Sequence, residues 1–150
     1  MSAFAAAGGG FLLAVLWFDL MFDVQALGGH GRALNEQRMS SIASYYARVT
    51  TGARPMNRLI ATVMLATLAA IVAEIVDGGG VPSAVAWASL ALATAPIALA
   101  GARTVPAAVR LGERRDTPER QRALARTIAR EHVFCLVAIA ALVAVQLSWS

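Results

Sequence analysis

Four apolar stretches, separated by segments that hold most of the charge, constrain this chain more than any other feature. They run from about Phe4 to Leu27, Leu59 to Val76, Val81 to Ala102 and Val133 to Trp149. At a rise of about 1.5 Å per residue, each is about long enough to cross a hydrocarbon core of roughly 30 Å. Only a helix does so without leaving backbone groups unpaired. The expected fold is therefore all-α: a polytopic membrane protein in which residues 1–150 form one integral membrane domain, a bundle of four transmembrane helices. Composition agrees, with 58% apolar and 15% charged residues, against about 45–50% and about 25% in an average soluble domain. The first stretch does not read as a cleavable signal, because it lacks a basic leading region, runs long and contains two aspartates.

All thirteen basic residues are arginine. Arg32, Arg38, Arg48, Arg54 and Arg58 lie between spans one and two, and the other eight lie between Arg103 and His132. The positive-inside rule places both loops in the cytoplasm, with the Asp77 to Gly80 turn and both termini outside, in the cell's inner (plasma) membrane. A net charge of +4 and a pI of about 10.6 would favour nucleic acid in a soluble protein. Here no recognition motif accompanies the charge, so the expected partner is the lipid bilayer and not nucleic acid. The single cysteine, Cys135, excludes an internal disulfide and a cysteine-based metal cluster.

The loops have structure of their own. Leu34, Met39, Ile42, Tyr45, Tyr46 and Val49 recur at near-helical spacing among polar residues. Ala33 to Thr51 thus reads as an amphipathic interfacial helix with its tyrosines at headgroup depth, ended by Gly52 and Pro55. Thr117 is a candidate N-cap and Pro118 a first helical residue, opening a helix that meets no breaker before span four. Arg122, Arg126 and Arg130 form one stripe on it, facing solvent or lipid phosphate. Span three is rich in alanine, suited to close helix packing, and Pro96 is placed to kink it. No internal repeat is present.

Asp19 and Asp23 sit inside span one, one helical turn apart, where an isolated charge costs roughly 2.5–3.5 kcal/mol. At about 100° per residue, position 23 lies about 40° from position 19 and position 30 about 20° from it, so His30 shares their stripe if the helix continues through Gly28 and Gly29. Such carboxyls turn into a bundle and find partners. Asn57 and Arg58 begin span two, Arg103 ends span three, and Glu131, His132 and Cys135 begin span four, all at the same level. Arg58 and Arg103 are expected to turn back towards Asp23. Glu74 and Asp77, near the far end of span two, read as interfacial. No cofactor is predicted from these residues; a haem or metal held by His30 and His132 is the alternative, although no HxxxH, ExxH or CxxCH motif supports it.

Two stretches, RTVPAAVRLG at Arg103 to Gly112 and AREHVFCL at Ala129 to Leu136, resemble the small four-helix membrane proteins of the anthrone-oxygenase-like domain-of-unknown-function family. The resemblance covers the whole chain in topology and these stretches in residues. Relatives often carry asparagine shortly after the proline, where this chain has Ala107 and Ala108. It implies a cofactor-independent membrane enzyme acting on a lipophilic, often polyketide-derived, molecule.

The functional expectation is a membrane enzyme or binder for a lipophilic small molecule. Asp19 would be a protonated acid and Asp23 its ionised partner. Arg58 and Arg103 would stabilise charge, and His30 or His132 would exchange protons with the cytoplasm. Trp17 and Asn57, with the two histidines, would line the substrate. Two other classes fit the same residues: an accessory subunit of a larger membrane complex, in which the polar cluster locks helices together, and a proton-coupled transporter or channel working as a homo-oligomer.

Overall fold

The computed structural model describes residues 2–27, 36–52, 54–78 and 81–149. Among these the chain is all-helical: α1 (Ser2–Leu27), α2 (Glu36–Ala47), α3 (Arg54–Asp77), α4 (Ser83–Leu99), α5 (Val105–Glu113) and α6 (Pro118–Ser148). Short π-helical segments, Arg48–Gly52 and Ala100–Thr104, follow α2 and join α4 to α5. Four helical stretches are long and apolar enough to cross a membrane: Ala3–Leu27, Pro55–Asp77, Ser83–Glu113 and Pro118–Ser148. Span three thus continues past Ala102 as α5. Span four begins fifteen residues before Val133, as the absence of a breaker after Pro118 implied. Thr117 caps that helix, its hydroxyl accepting from the Arg120 N–H at 3.4 Å.

The packing partners place the helices in a ring. α1 lies along α6 and α3, and α4 lies between α3 and α6. Buried positions on α1 recur at three- and four-residue spacing through Ala5, Gly9 and Leu12, and again through Leu20, Asp23 and Ala26. Those on α6 do so through Ile128, His132, Cys135, Ile139, Leu142 and Gln146. These seams face one another as in other nearly aligned helix pairs. Small residues bring the backbones close: a Cβ on Gly8 would lie 2.1 Å from Thr67 Oγ1, and one on Gly9 2.7 Å from Val143 Cγ2. Asp23 therefore occupies a core position on α1, on a seam otherwise built from Ala, Gly and Leu.

Two apolar cores result. One contains Ala5, Leu12, Ala70, Ile71, Ala93, Ile139 and Leu142. The other contains Ala26, Met39, Ile42, Tyr46, Ala108, Leu111, Ala125, Ile128 and Ala129. Along α1 and α6 the junction between them falls at Asp19, Asp23, Glu131 and His132.

The amphipathic helix expected between spans one and two turns its apolar face to protein, so its tyrosines do not face headgroups as expected. The apolar face of α2 is covered by protein: Met39, Ile42, Ala43 and Tyr46 are buried against α5, α6 and the end of α1. This docking is close because α5 presents Gly112, where an added Cβ would lie 2.7 Å from the Ala47 nitrogen and 2.9 Å from its Cα. The helix continues to Gly52 as expected, but its last turn, Arg48–Gly52, takes π geometry. The hydroxyls of Thr50 and Thr51 bond back to the carbonyls of Tyr46 and Ala47, a local competition that loosens the regular ladder.

In span three the helix runs through Pro96 and widens to π geometry at Ala100–Thr104. Pro106 supplies the reason: it has no N–H to offer the ladder, and just before it the Val105 N–H reaches back to the Ala100 carbonyl.

Candidate functional site

At the junction of the two cores, α1, α2 and α6 bring five titratable side chains together. Asp23 is fully buried. Its Oδ1 accepts from the Tyr46 hydroxyl at 2.6 Å, and its Oδ2 lies 2.6 Å from His132 Nδ1. One turn earlier, Asp19 Oδ1 accepts from the Tyr45 hydroxyl at 2.6 Å. Asp19 Oδ2 lies 3.9 Å from His132 Nε2. The imidazole is thus flanked by two carboxylates, and each carboxylate is held by a tyrosine.

The hydrogen-bond pattern orients the ring. The Tyr46 hydroxyl has one proton and gives it to Asp23, although His132 Nδ1 is 3.4 Å away. Asp23 as a carboxylate only accepts, so Nδ1 is the nitrogen that donates. Nε2 is then the nitrogen turned towards Asp19. The two aspartates differ accordingly: both oxygens of Asp23 are committed, whereas Asp19 is partly exposed and its Oδ2 stands at a non-bonded separation from Nε2.

The tyrosines are permanent donors. Burial first, and then the Asp23 carboxylate, pushes the Tyr46 hydroxyl far above the usual tyrosine range. Burial and Asp19 do the same for Tyr45. Tyr45 is further fixed by stacking on Phe22, with ring centroids 4.0 Å apart, and its edge meets Tyr46 at 5.3 Å.

Beside His132 on α6, Glu131 reaches across to the π-helical segment Ala100–Thr104. Glu131 Oε2 accepts from Thr104 Oγ1 at 2.8 Å, and Oε1 pairs with Arg103 at 3.3 Å. Thr104 and Arg103 belong to the π-helical segment, so the irregular turn forced near Pro106 is what presents them to α6. These contacts bring the Arg103 to Gly112 and Ala129 to Leu136 stretches together. Cys135, one turn along α6, donates its thiol to the Pro96 carbonyl at 3.8 Å.

The structure gathers some of the residues read from the sequence and disperses others. Asp19, Asp23 and His132 come together. Arg103 does not turn to Asp23; its ion pair is with Glu131, which is nearer on the facing helix. Arg58 is exposed, consistent with the tendency of a long charged side chain to keep its head in water. Asn57 bonds the Thr50 carbonyl at 2.8 Å, tying α3 to the preceding turn. Trp17 is 63% exposed on the outer face of α1. His30 lies outside the described residues, and with it the two-histidine haem or metal reading. Among the described residues no three of His, Cys, Asp and Glu converge as a metal site.

Sequence reasoning missed Tyr45, Tyr46 and Thr104 as site residues. The available signal was that these are the chain's two tyrosines, adjacent on a helix whose apolar face includes one of them. Glu74, read as interfacial, is buried.

Fold and site together define an all-helical bundle with four helices able to span a membrane, carrying a carboxylate, imidazole and tyrosine array at the level where its two cores meet. No protein-family model, curated protein or solved structure matches the chain.

Proposed function

We propose that this is a multi-pass membrane protein that performs acid/base chemistry on a lipophilic small molecule, with Asp19 and His132 as the proton-exchanging pair. The observation that carries this reading is the 3.9 Å separation between Asp19 Oδ2 and His132 Nε2, set beside the sealed contact of Nδ1 with Asp23. A histidine oriented through one nitrogen by a buried carboxylate, with the other turned to a second acid, is the arrangement that general acid/base catalysis uses.

In this scheme whichever of Nε2 and the Asp19 carboxylate lacks a proton removes one from a C–H or O–H of the bound molecule. The other member returns a proton at a second position, so the reaction is an isomerisation by proton transfer and needs no oxidant. Asp23 and Tyr46 position the imidazole, and Tyr45 positions Asp19. Lipid access is the natural route, since Trp17, Phe18, Met21 and Val24 expose apolar surface on the same helix. The resemblance in the Arg103 to Gly112 and Ala129 to Leu136 stretches points to the same class of substrate. The positive-inside rule favours a cytoplasmic position for the His132 end of the bundle, where Arg126 and Arg130, exposed on α6, would meet anionic headgroups.

A second reading has its own support. Asp23 is fully buried with both oxygens bonded to other helices, which is what an interhelical clamp requires, and a clamp alone would suit an accessory subunit. Mass spectrometry of lipophilic molecules that co-purify with the detergent-solubilised protein, before and after incubation in D2O, separates the two. Catalysis predicts deuterium uptake by the bound molecule that is lost in His132→Gln and Asp19→Asn proteins that remain folded. A folded wild-type protein that carries its ligand without catalysing exchange overturns the acid/base reading.

A further inference from the structure

At the other end of the bundle a second polar cluster joins three helices, and the chemistry proposed above does not use it. Glu74 of α3, Ser89 of α4 and Gln146 of α6 are 5%, 0% and 2% exposed. Gln146 Nε2 donates to Glu74 Oε2 at 3.3 Å and to Ser89 Oγ at 3.1 Å. Glu74 Oε1 is buried and has no hydrogen-bond partner among the described residues. Along α6, Gln146 lies fourteen residues beyond His132, or about 21 Å at helical rise, with Ile139 and Leu142 of the apolar core between them.

We propose that Glu74, Ser89 and Gln146 form a binding site for a small monovalent cation, with sodium the fitting ion. A buried carboxylate needs more compensation than one neutral amide at 3.3 Å, and Oε1 receives none. A cation satisfies several oxygens at once, whereas a hydrogen-bond donor serves one or two. The side chains offer carboxylate, hydroxyl and amide oxygens, and no sulfur or imidazole, the donor set of hard cations.

Gln146 Nε2 occupies the point between Glu74 and Ser89 that such an ion would take. Turning the amide end for end and drawing it back from that point leaves room for the ion and makes Gln146 Oε1 a third ligand beside it. Access is short: Glu74 lies three residues from the end of α3 and Gln146 two from the end of α6, within about one helical turn of the bundle's edge. Exposed Asp77 adds negative charge there.

The test is thermal unfolding of the full-length protein in detergent, at constant ionic strength, with sodium chloride replacing choline chloride. The midpoint should rise by about 3 to 6 °C between sodium well below its dissociation constant and sodium about tenfold above it. That slope should vanish in Glu74→Gln and shrink in Ser89→Ala. Because the slope is read and not the midpoint itself, a change in basal stability does not confuse the result. If Glu74→Gln fails to fold, Ser89→Ala carries the comparison. A wild-type midpoint indifferent to sodium, or a sodium response unchanged in the variants, overturns the proposal. The outcome is independent of the Asp19 and His132 chemistry, whose residues are unchanged in these proteins.

Discussion

Tyr46→Phe isolates one hydroxyl in the most buried part of the site. Tyr46 is 2% exposed, and its hydroxyl reaches fully buried Asp23 at 2.6 Å. Removing it leaves the ring in place and deprives Asp23 Oδ1 of its donor. A hydrogen bond to a charged group contributes about 1.5–3 kcal/mol, and the carboxylate left behind pays the full cost of burial. For a chain of this length about 1 kcal/mol corresponds to roughly 2–4 °C, so the apparent unfolding midpoint should fall by about 3–12 °C. Unfolding from detergent is compared at one fixed scan rate, because irreversible transitions depend on it. Tyr45→Phe is the internal control: its bond to Asp19 is as short, but the site is only partly buried and the Phe22 stack survives. That variant should lose less than half as much. In a double-mutant cycle, Tyr46→Phe and Asp23→Asn should couple by at least about 1 kcal/mol. If Tyr46→Phe costs no more than Tyr45→Phe, and shows no coupling to Asp23→Asn, the inward carboxylate contact is refuted.

Other expectations follow from single contacts. The chain's two tyrosines both bond carboxylates, so its whole tyrosinate absorbance reports on this array. It should stay silent as pH rises through about 10, where free tyrosine ionises, and appear only on unfolding. Between that pH and the raised folded value the unfolded chain binds fewer protons, so stability should fall as pH increases; normal titration of both residues in the folded protein would contradict the geometry. Gly112→Ala forces a methyl against the Ala47 backbone and should destabilise by about 1–3 kcal/mol, seen as faster proteolysis at the α2 segment. Gly8→Ala should be similarly harmful through its clash with Thr67 Oγ1, and Thr67→Ala in the same protein should recover part of the lost midpoint, the Thr67 Cβ remaining at 3.2 Å.

What the sequence discloses here depends on which physical signal is one-dimensional. Hydropathy is, so the four long apolar helices are legible, and the capping pair Thr117 and Pro118 opens the fourth of them. The turn spacing of Asp19 and Asp23 put them on one stripe, and the bundle indeed turns that stripe inward. Partner choice is not one-dimensional. Arg103 stood at the right level to reach Asp23, but the π-helical turn before Pro106 aims it at Glu131 instead.

Tyr45 and Tyr46 carried a signal with two meanings, since aromatic residues on an amphipathic helix serve a headgroup region or a protein core equally well. Only the docking of α2 through Gly112 decides between them. Glu74 was misplaced for the same reason: its depth was readable, and the rotation of α3 that buries it was not.

The most direct measurement is nitrogen-15 and proton NMR of isotopically labelled histidine in the protein reconstituted into bilayers, with the His132 signal assigned by His132→Gln. The contact of Nδ1 with Asp23 Oδ2 at 2.6 Å predicts a protonated Nδ1 whose proton resonates far downfield, and predicts that this resonance disappears in Asp23→Asn. An unprotonated Nδ1, or a resonance indifferent to Asp23→Asn, would contradict the account.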